Sequence, residues 1–336
     1  MRYSLSLAIV MSRRKVKITT PQQLPTKNVE EIYEYLEKLG EGSYGEVWKV
    51  RDRRTKEILA LKVIFMKKLA PHLVFDSIRE DAFILYDTIQ ELEVLKDLSS
   101  RKNGCHPGVV CYHDLFNCGD RLCITMEFIK GRTVETLLNG LEQSRTRLEP
   151  TPLYNVMKQT LAALTYIHSK GVSHRDIKGE NMIIRDDGEI VFVDFGLSCF
   201  FDAKTRTRTR YKCRGWAGTR DFMAPEVVDR DIEDHPDWWP NADVWSLGIV
   251  FMELAMGAGL DVSIGEEIAE GRMSEAPKLA YKDPILASII NEMLQTRPES
   301  RPSARALLTR LNAHTPRPEL ELPDEARPSA AVCNIV

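Results

Sequence analysis

The stretch VSHRDIKGENMIIRDDGEIVFVDFG, residues 172–196, decides the reading. It crowds His174, Arg175, Asp176, Lys178, Glu180 and Asn181 into one short polar run. Ile183-Ile184 and Ile190 to Val193 then read as short β-strands around Asp186-Asp187-Gly188, a strong turn signal. Asp194-Phe195-Gly196 stands at the end of the second strand. Asp176 could accept or orient a hydroxyl proton, and Lys178 could neutralise a phosphoryl group. Asn181 could offer its oxygen to a hard cation, with Asp194, thirteen residues further on, as a second oxygen ligand. Gly196 permits a sharp change of direction. A lone Asp-Phe-Gly would be only a turn; in company with the preceding loop that reading fails.

N-terminal to this stretch, Gly40-Glu41-Gly42-Ser43-Tyr44-Gly45-Glu46-Val47 is glycine-rich in a way that lets backbone approach phosphates. Alone it is weak, because glycine-rich hairpin turns are common. Val47 to Val50 looks like a strand rather than a helix, which argues against a dinucleotide-binding fingerprint. Ala60-Leu61-Lys62 lies on the next strand, Ile58 to Phe65. Lys62 either points to solvent or directs its charge at nucleotide phosphates. In the second case it needs an acidic partner, for which Glu91 is chosen and Glu93 is the alternative, both in a helical apolar pattern over 77–98. Val109 to Phe116 and Leu122 to Phe128 read as a hairpin pair.

After Gly131 the chain becomes mainly helical, with an amphipathic helix over 152–169 and further helices near 242–256, 284–295 and 303–311. A small β-rich half with one main helix thus precedes a larger helical half, the two meeting near Glu127 to Gly131. Residues 1–30 carry six basic side chains and one acidic, and read as a flexible basic arm. Residues 312–336 are proline-rich and read as a tail.

Net charge is −3 and charged residues make up 28% of the chain, so nothing pulls it globally toward nucleic acid or anionic membrane. No apolar run is long enough to span a bilayer. The apolar Leu5 to Met11 and the C-terminal Cys333-Asn334-Ile335-Val336 are poor matches to a signal peptide and a prenylation box. The seven cysteines include no C-x-x-C, and the expectation is free, mostly buried thiols in a reducing compartment.

The chain from about Tyr33 to Leu311 resembles the eukaryotic protein kinase family, serine/threonine type. The glycine loop, A-x-K, H-R-D-x-K-x-x-N, D-F-G and Ala224-Pro225-Glu226 stand in that family's order, followed by Asp243-Val244-Trp245-Ser246-Leu247-Gly248 and Arg301-Pro302. The resemblance implies an α+β, two-lobed kinase fold over 31–311. Its N-lobe would be 31–129, small and β-rich with one main helix; its C-lobe, 130–311, would be larger and mainly helical. ATP would lie between them. Gly40, Gly42 and Gly45 would cover the phosphates, and Lys62 would contact them and pair with Glu91. Val47, Ala60 and Ile183 would sandwich the adenine, Met126 would be the gatekeeper, and the backbone of Glu127 and Ile129 would bond the adenine edge. Asn181 and Asp194 would hold Mg2+, and Asp176 and Lys178 would serve catalysis. Leu95, His174 and Phe195 would stack in one packing spine, Asp243 would anchor the catalytic loop, and Glu226 and Arg301 would form a buried pair.

Lys178 and Gly218-Thr219 resemble the serine/threonine branch. Glu180 either selects substrates with upstream basic residues or is merely solvated, and Thr133 stands where a further acidic determinant is common. From Ala203 to Arg220 there are seven basic residues and no acidic one, with Thr205, Thr207 and Thr209 between arginines. This run is expected to be phosphorylated, by the protein itself or an upstream activating kinase, with Arg175 as a dock for the phosphate. The rival readings are a pseudokinase scaffold and a small-molecule kinase. The expected setting is intracellular, cytoplasmic or nuclear, with protein substrates, no nucleic acid and no membrane span. Trp238-Trp239 packs on the large lobe or serves a partner.

Overall fold

The computed structural model describes residues 24–42, 45–65, 91, 93–99, 104–119, 121–201, 213, 217–233, 235 and 238–314. They fall into two compact units. The architecture is α+β, as expected.

The first unit is a five-stranded sheet of β1 (Tyr33–Gly42), β2 (Gly45–Asp52), β3 (Ile58–Phe65), β4 (Tyr112–Cys118) and β5 (Arg121–Glu127), in the order β1-β2-β3-β5-β4. Strand periodicity sorts its side chains by face. Val50, Leu59, Leu61, Val63, Phe116 and Cys123 turn into one apolar core with Val29 and Tyr33. Complete burial of each large apolar side chain there contributes about 1.5–3 kcal/mol. The opposite face carries Val47, Ala60, Lys62 and Met126. Val47 is the cross-strand partner of Lys62, and Ala60 of Met126. At Gly45 an added Cβ would lie 2.2 Å from the Val63 carbonyl oxygen, so the close approach of β2 to β3 itself requires glycine there.

Residues 24–30, counted above with the basic arm, pack on this sheet. Asn28 caps the short helix α1 (Val29–Ile32), and Val29 is fully buried. Thr26 bridges to Asn117 on β4, and Lys27 pairs with Asp114 at 2.5 Å. The readings over 1–23, over the C-terminal tail from 315, over most of 77–98 and over most of 203–216, with Thr205, Thr207 and Thr209, lie outside the described residues.

The second unit holds the helices. Thr133, on β6 (Gly131–Thr133), caps α2 (Val134–Ser144). Helix α3 (Pro150–Ser169) starts on a proline and buries Leu153, Met157, Leu161, Leu164 and Ile167 along one stripe. Strands β7 (Val172–Ser173), β8 (Met182–Arg185), β9 (Ile190–Phe192) and β10 (Cys199–Phe200) follow. They form a β6-β8-β9 sheet and a β10-β7 pair. Helix α4 (Pro225–Val228) precedes α5 (Trp239–Met256), the most deeply buried helix of the unit. Then come α6 (Ile264–Ala269), α7 (Pro284–Met293) and α8 (Ala304–Asn312). The helical residues 93–98 group with this second unit rather than with the sheet. The Leu98 carbonyl accepts from the Tyr166 hydroxyl at 2.8 Å, and Val110 N–H donates to Phe192.

The cysteines depart from expectation. Cys105–Cys111 and Cys199–Cys213 are disulfide-bonded, while Cys118 and Cys123 are free and buried as expected. Spacing alone did not reveal the pairs, because chain folding brings their Cα atoms to 5.6 and 5.0 Å. Trp239 is buried, as packing requires, whereas Trp238 is half-buried. Among the described residues no helix is long and apolar enough to cross a membrane.

Candidate active site

Asp243 organises the site from α5. Its carboxylate, 1% exposed, accepts from the backbone N–H of His174 (2.9 Å) and Arg175 (2.8 Å) and from the Ser173 hydroxyl (2.8 Å). His168, near the end of α3, bonds the same carboxylate at 2.9 Å. Burial pushes the Asp243 carboxyl up, but the His168 bond and the Arg175 N–H together outweigh it and hold the group below the ordinary aspartate value. Arg175 lies in the left-handed region at φ 68°, and its guanidinium stacks 4.1 Å from the Trp239 ring.

The polar loop converges on one hydroxyl. Thr219 Oγ1 donates to Asp176 Oδ1 at 2.7 Å and accepts from Lys178 Nζ at 2.9 Å. Asn181 Nδ2 donates to Asp176 Oδ2 at 2.9 Å and to the Asp176 carbonyl at 2.8 Å. The Lys178 ammonium lies 3.6 Å from Asp176 and 3.2 Å from Glu180. Burial lowers its pKa, yet the two carboxylates prevail and the net shift is upward, so it stays charged. Gly218, at φ 122°, places its Cα where any Cβ would lie 2.6 Å from the Arg175 carbonyl oxygen; only glycine lets Thr219 reach the loop.

Asp194 is exposed at φ 55°, with Gly196 N–H donating to its Oδ1 at 3.3 Å. Val193 N–H donates to the Asn181 carbonyl at 2.9 Å, which joins the Asn181 turn to the start of Asp-Phe-Gly. The amide nitrogen of Asn181 is committed to Asp176, so the side-chain oxygen is left for another donor or a cation. A carboxamide oxygen and an exposed carboxylate suit a hard divalent ion. Phe195 is buried, its ring centroid 4.8 Å from that of His174; Leu95 is buried as well.

Glu226 and Arg301 form the expected buried pair, with nitrogen–oxygen distances of 2.5 and 2.8 Å. Arg301 also donates to the carbonyls of Gln295, Thr296 and Asn241.

The remaining candidates divide between the units. In the first, Gly40 and Gly42 lie on β1, Gly45 and Val47 on β2, Ala60 and Lys62 on β3, and Met126 and Glu127 on β5. In the second are Glu91, 4% exposed, Ile129, 7% exposed, and Ile183 on β8.

Three residues escaped the sequence reading. His168 gave no signal, because its partner is 75 positions away. Glu135, at the start of α2, has its pKa raised by burial first and then by Glu180. Glu253 sits in α5 at 8% exposure, its carboxyl pushed up to about 7 by burial. A lone carboxylate among Phe251, Met252 and Leu254 was a visible clue.

The protein kinase domain model matches residues 33–311. The chain is 32% identical over 307 residues to "Serine/threonine-protein kinase 1" of Arabidopsis thaliana, covering 89% of this chain and 33% of that protein. It is 33% identical over 232 residues to "Mitogen-activated protein kinase kinase kinase kinase 3" of Homo sapiens (69% and 23%), and 30% identical over 283 to "Serine/threonine-protein kinase dst2" of Dictyostelium discoideum (83% and 22%). The chain spans about a third or less of the length of these relatives. It belongs to the eukaryotic protein kinase family, and its named relatives are of the serine/threonine type.

Proposed function

We propose that the protein transfers the γ-phosphoryl group of ATP to serine and threonine hydroxyls of protein substrates. The observation that carries this reading is the Asp176 carboxylate accepting an aliphatic hydroxyl, that of Thr219, at 2.7 Å with the Lys178 ammonium on the same oxygen. A serine or threonine acceptor needs the same two partners: a carboxylate to orient its proton and a cation beside the transferring group. Asn181 and Asp194 are the residues we assign to Mg2+, which when bound neutralises charge on the phosphate oxygens. Lys62 serves the α- and β-phosphates, with Glu91 assigned as its ion partner by the family resemblance. Gly40, Gly42 and Gly45 form the phosphate cover. Val47, Ala60, Ile183, Met126, Glu127 and Ile129 are assigned to the adenine by the family resemblance.

Substrates with upstream basic residues fit the acidic pair of Glu135 and Glu180, whose mutual repulsion a guanidinium would relieve. Control by phosphorylation within 203–220 fits the seven basic side chains there. We place the protein inside the cell, in cytoplasm or nucleus.

The test is radiolabel transfer from γ-labelled ATP with Mg2+ to a basic protein and to peptides with and without an arginine upstream. The expected result is label on serine and threonine, reduced about 1,000-fold or more in Asp176→Asn with ATP binding retained. ATP binding without transfer, in protein pre-treated with an activating kinase, would indicate a pseudokinase scaffold instead.

A further inference from the structure

We propose that Cys199 and Cys213 form a reversible disulfide modification site that ties the position six residues before Thr219 to β10. Both residues are buried, at 0% and 6% exposure, with Cα atoms 5.0 Å apart, inside the range a disulfide spans.

What the bond joins sets it apart. Cys199 lies opposite Ser173 in the β10–β7 pair, and Ser173 donates to Asp243, the carboxylate that holds the catalytic loop. Its neighbours are bonded to the same frame: Ser198 Oγ donates to the His174 carbonyl at 3.2 Å, and Phe201 N–H to that of Gly171 at 2.9 Å. On the other side, Cys213 stands six residues before Thr219, the hydroxyl shared by Asp176 and Lys178. One covalent link therefore joins the frame under the loop to Cys213, six positions before Thr219 in the sequence.

The bond closes a loop of sequence separation 14 containing Thr205, Thr207 and Thr209. Ring closure removes conformations from whatever lies between its ends. The Cys105–Cys111 bond, by contrast, clips a local stretch of sequence separation 6. Cys118 and Cys123 remain thiols, and burial pushes the Cys123 thiol up to about 12, far from reactive thiolate.

In a thiol-rich compartment disulfides are transient and tend to be sensors. Formation takes two electrons and two protons from the two thiols. A low-molecular-weight disulfide accepts them and leaves as two thiols, through a mixed disulfide at the first sulfur reached. Cys213, the more exposed of the pair, is that sulfur. A dithiol reverses the reaction.

The bond and its hold on the segment are independent of the proposed phosphoryl transfer; only what the clamp controls rests on that reading. The full chain is equilibrated in glutathione buffers from reduced to oxidised, its free thiols are capped with N-ethylmaleimide, and tryptic cleavage is followed by mass spectrometry. Phosphoryl transfer is measured on the same samples. A linked Cys199–Cys213 peptide is expected to grow with oxidation and vanish with dithiothreitol. The first cut between Lys204 and Arg214 slows by about fivefold or more in the linked form. Cys213→Ser shows the fast cut in every buffer, whereas Cys105→Ser keeps the redox response. Transfer falls severalfold on reduction. Absence of the linked peptide in the most oxidising buffer, linkage without slower cutting, or measurable transfer that is equal in linked and reduced protein would each overturn the proposal. Linkage and slower cutting in protein that transfers no phosphate would instead count against the kinase reading and leave the clamp standing.

Discussion

Asp243 holds Arg175 in a backbone conformation that arginine ordinarily avoids. Its Oδ1 accepts the Arg175 N–H at 2.8 Å while that residue sits at φ 68°. A side-chain-bearing residue in the left-handed region costs about 1–2 kcal/mol, and a charge-assisted hydrogen bond is of the size needed to offset it. Asp243→Asn presents an amide where several donors expect a carboxylate. The expected loss is about 2–4 kcal/mol in urea unfolding, with transfer reduced about 100-fold. The Asp243 carboxyl is held below 3.8, so the stability it lends is full above that value and is lost as pH falls through the lower folded value. Below about pH 4 the wild type therefore loses stability more steeply than Asp243→Asn. Parallel acid slopes would contradict this account.

Thr219 offers a separation of shape from hydroxyl. Thr219→Val keeps the volume and removes the atom shared by Asp176 and Lys178. We expect kcat to fall by about 30- to 300-fold, with ATP binding and unfolding midpoint within error of wild type. Thr219→Ser should restore most of the rate. A valine variant with normal kcat would show that the hydroxyl only packs.

Glu253 carries the opposite pH signature from Asp243. Its folded value of about 7 exceeds the ordinary 4.5, so the folded state keeps a proton that the unfolded chain releases. Stability therefore falls as pH rises from 4.5 to 7, and the cost is complete above 7. Glu253→Gln removes that cost: a gain of about 2–3 kcal/mol near pH 8 and none near pH 4. Denaturant titrations at the two pH values decide it, and an equal effect at both would refute it.

The Glu226–Arg301 pair is a matter of satisfied burial rather than of net attraction. Glu226→Gln or Arg301→Met alone leaves an uncompensated buried charge, costing about 3–5 kcal/mol. The double variant Glu226→Gln with Arg301→Met should cost less than the sum of these two singles by about 1–3 kcal/mol. Additive losses would show that Arg301 acts through its carbonyl partners instead.

Most of the candidate site's geometry was legible because it is local. Asp176, Lys178 and Asn181 sit within one turn-rich run, and Asp194 one hairpin away, so the sequence already dictated their proximity. Strands β2, β3, β8 and β9 declared themselves through apolar alternation and turn residues. The rest depends on folding over distance. His168 meets Asp243 from 75 residues away, and Cys199 meets Cys213 across a stretch with no periodicity. Residues 93–98 looked like part of the β-rich half but group with the helices through the Tyr166 hydroxyl. The packing of 24–30 was hidden by a basic composition that resembles a solvated arm.

That packing also fixes where the preceding chain departs. Thr26 bridges to Asn117, Lys27 N–H donates to the Asn117 carbonyl at 2.8 Å, and the Lys27 ammonium pairs with Asp114. All three contacts lie on β4, an edge strand of its sheet. The described chain therefore begins at this edge of the sheet. Thr26 also occupies part of the edge that a foreign strand would otherwise extend.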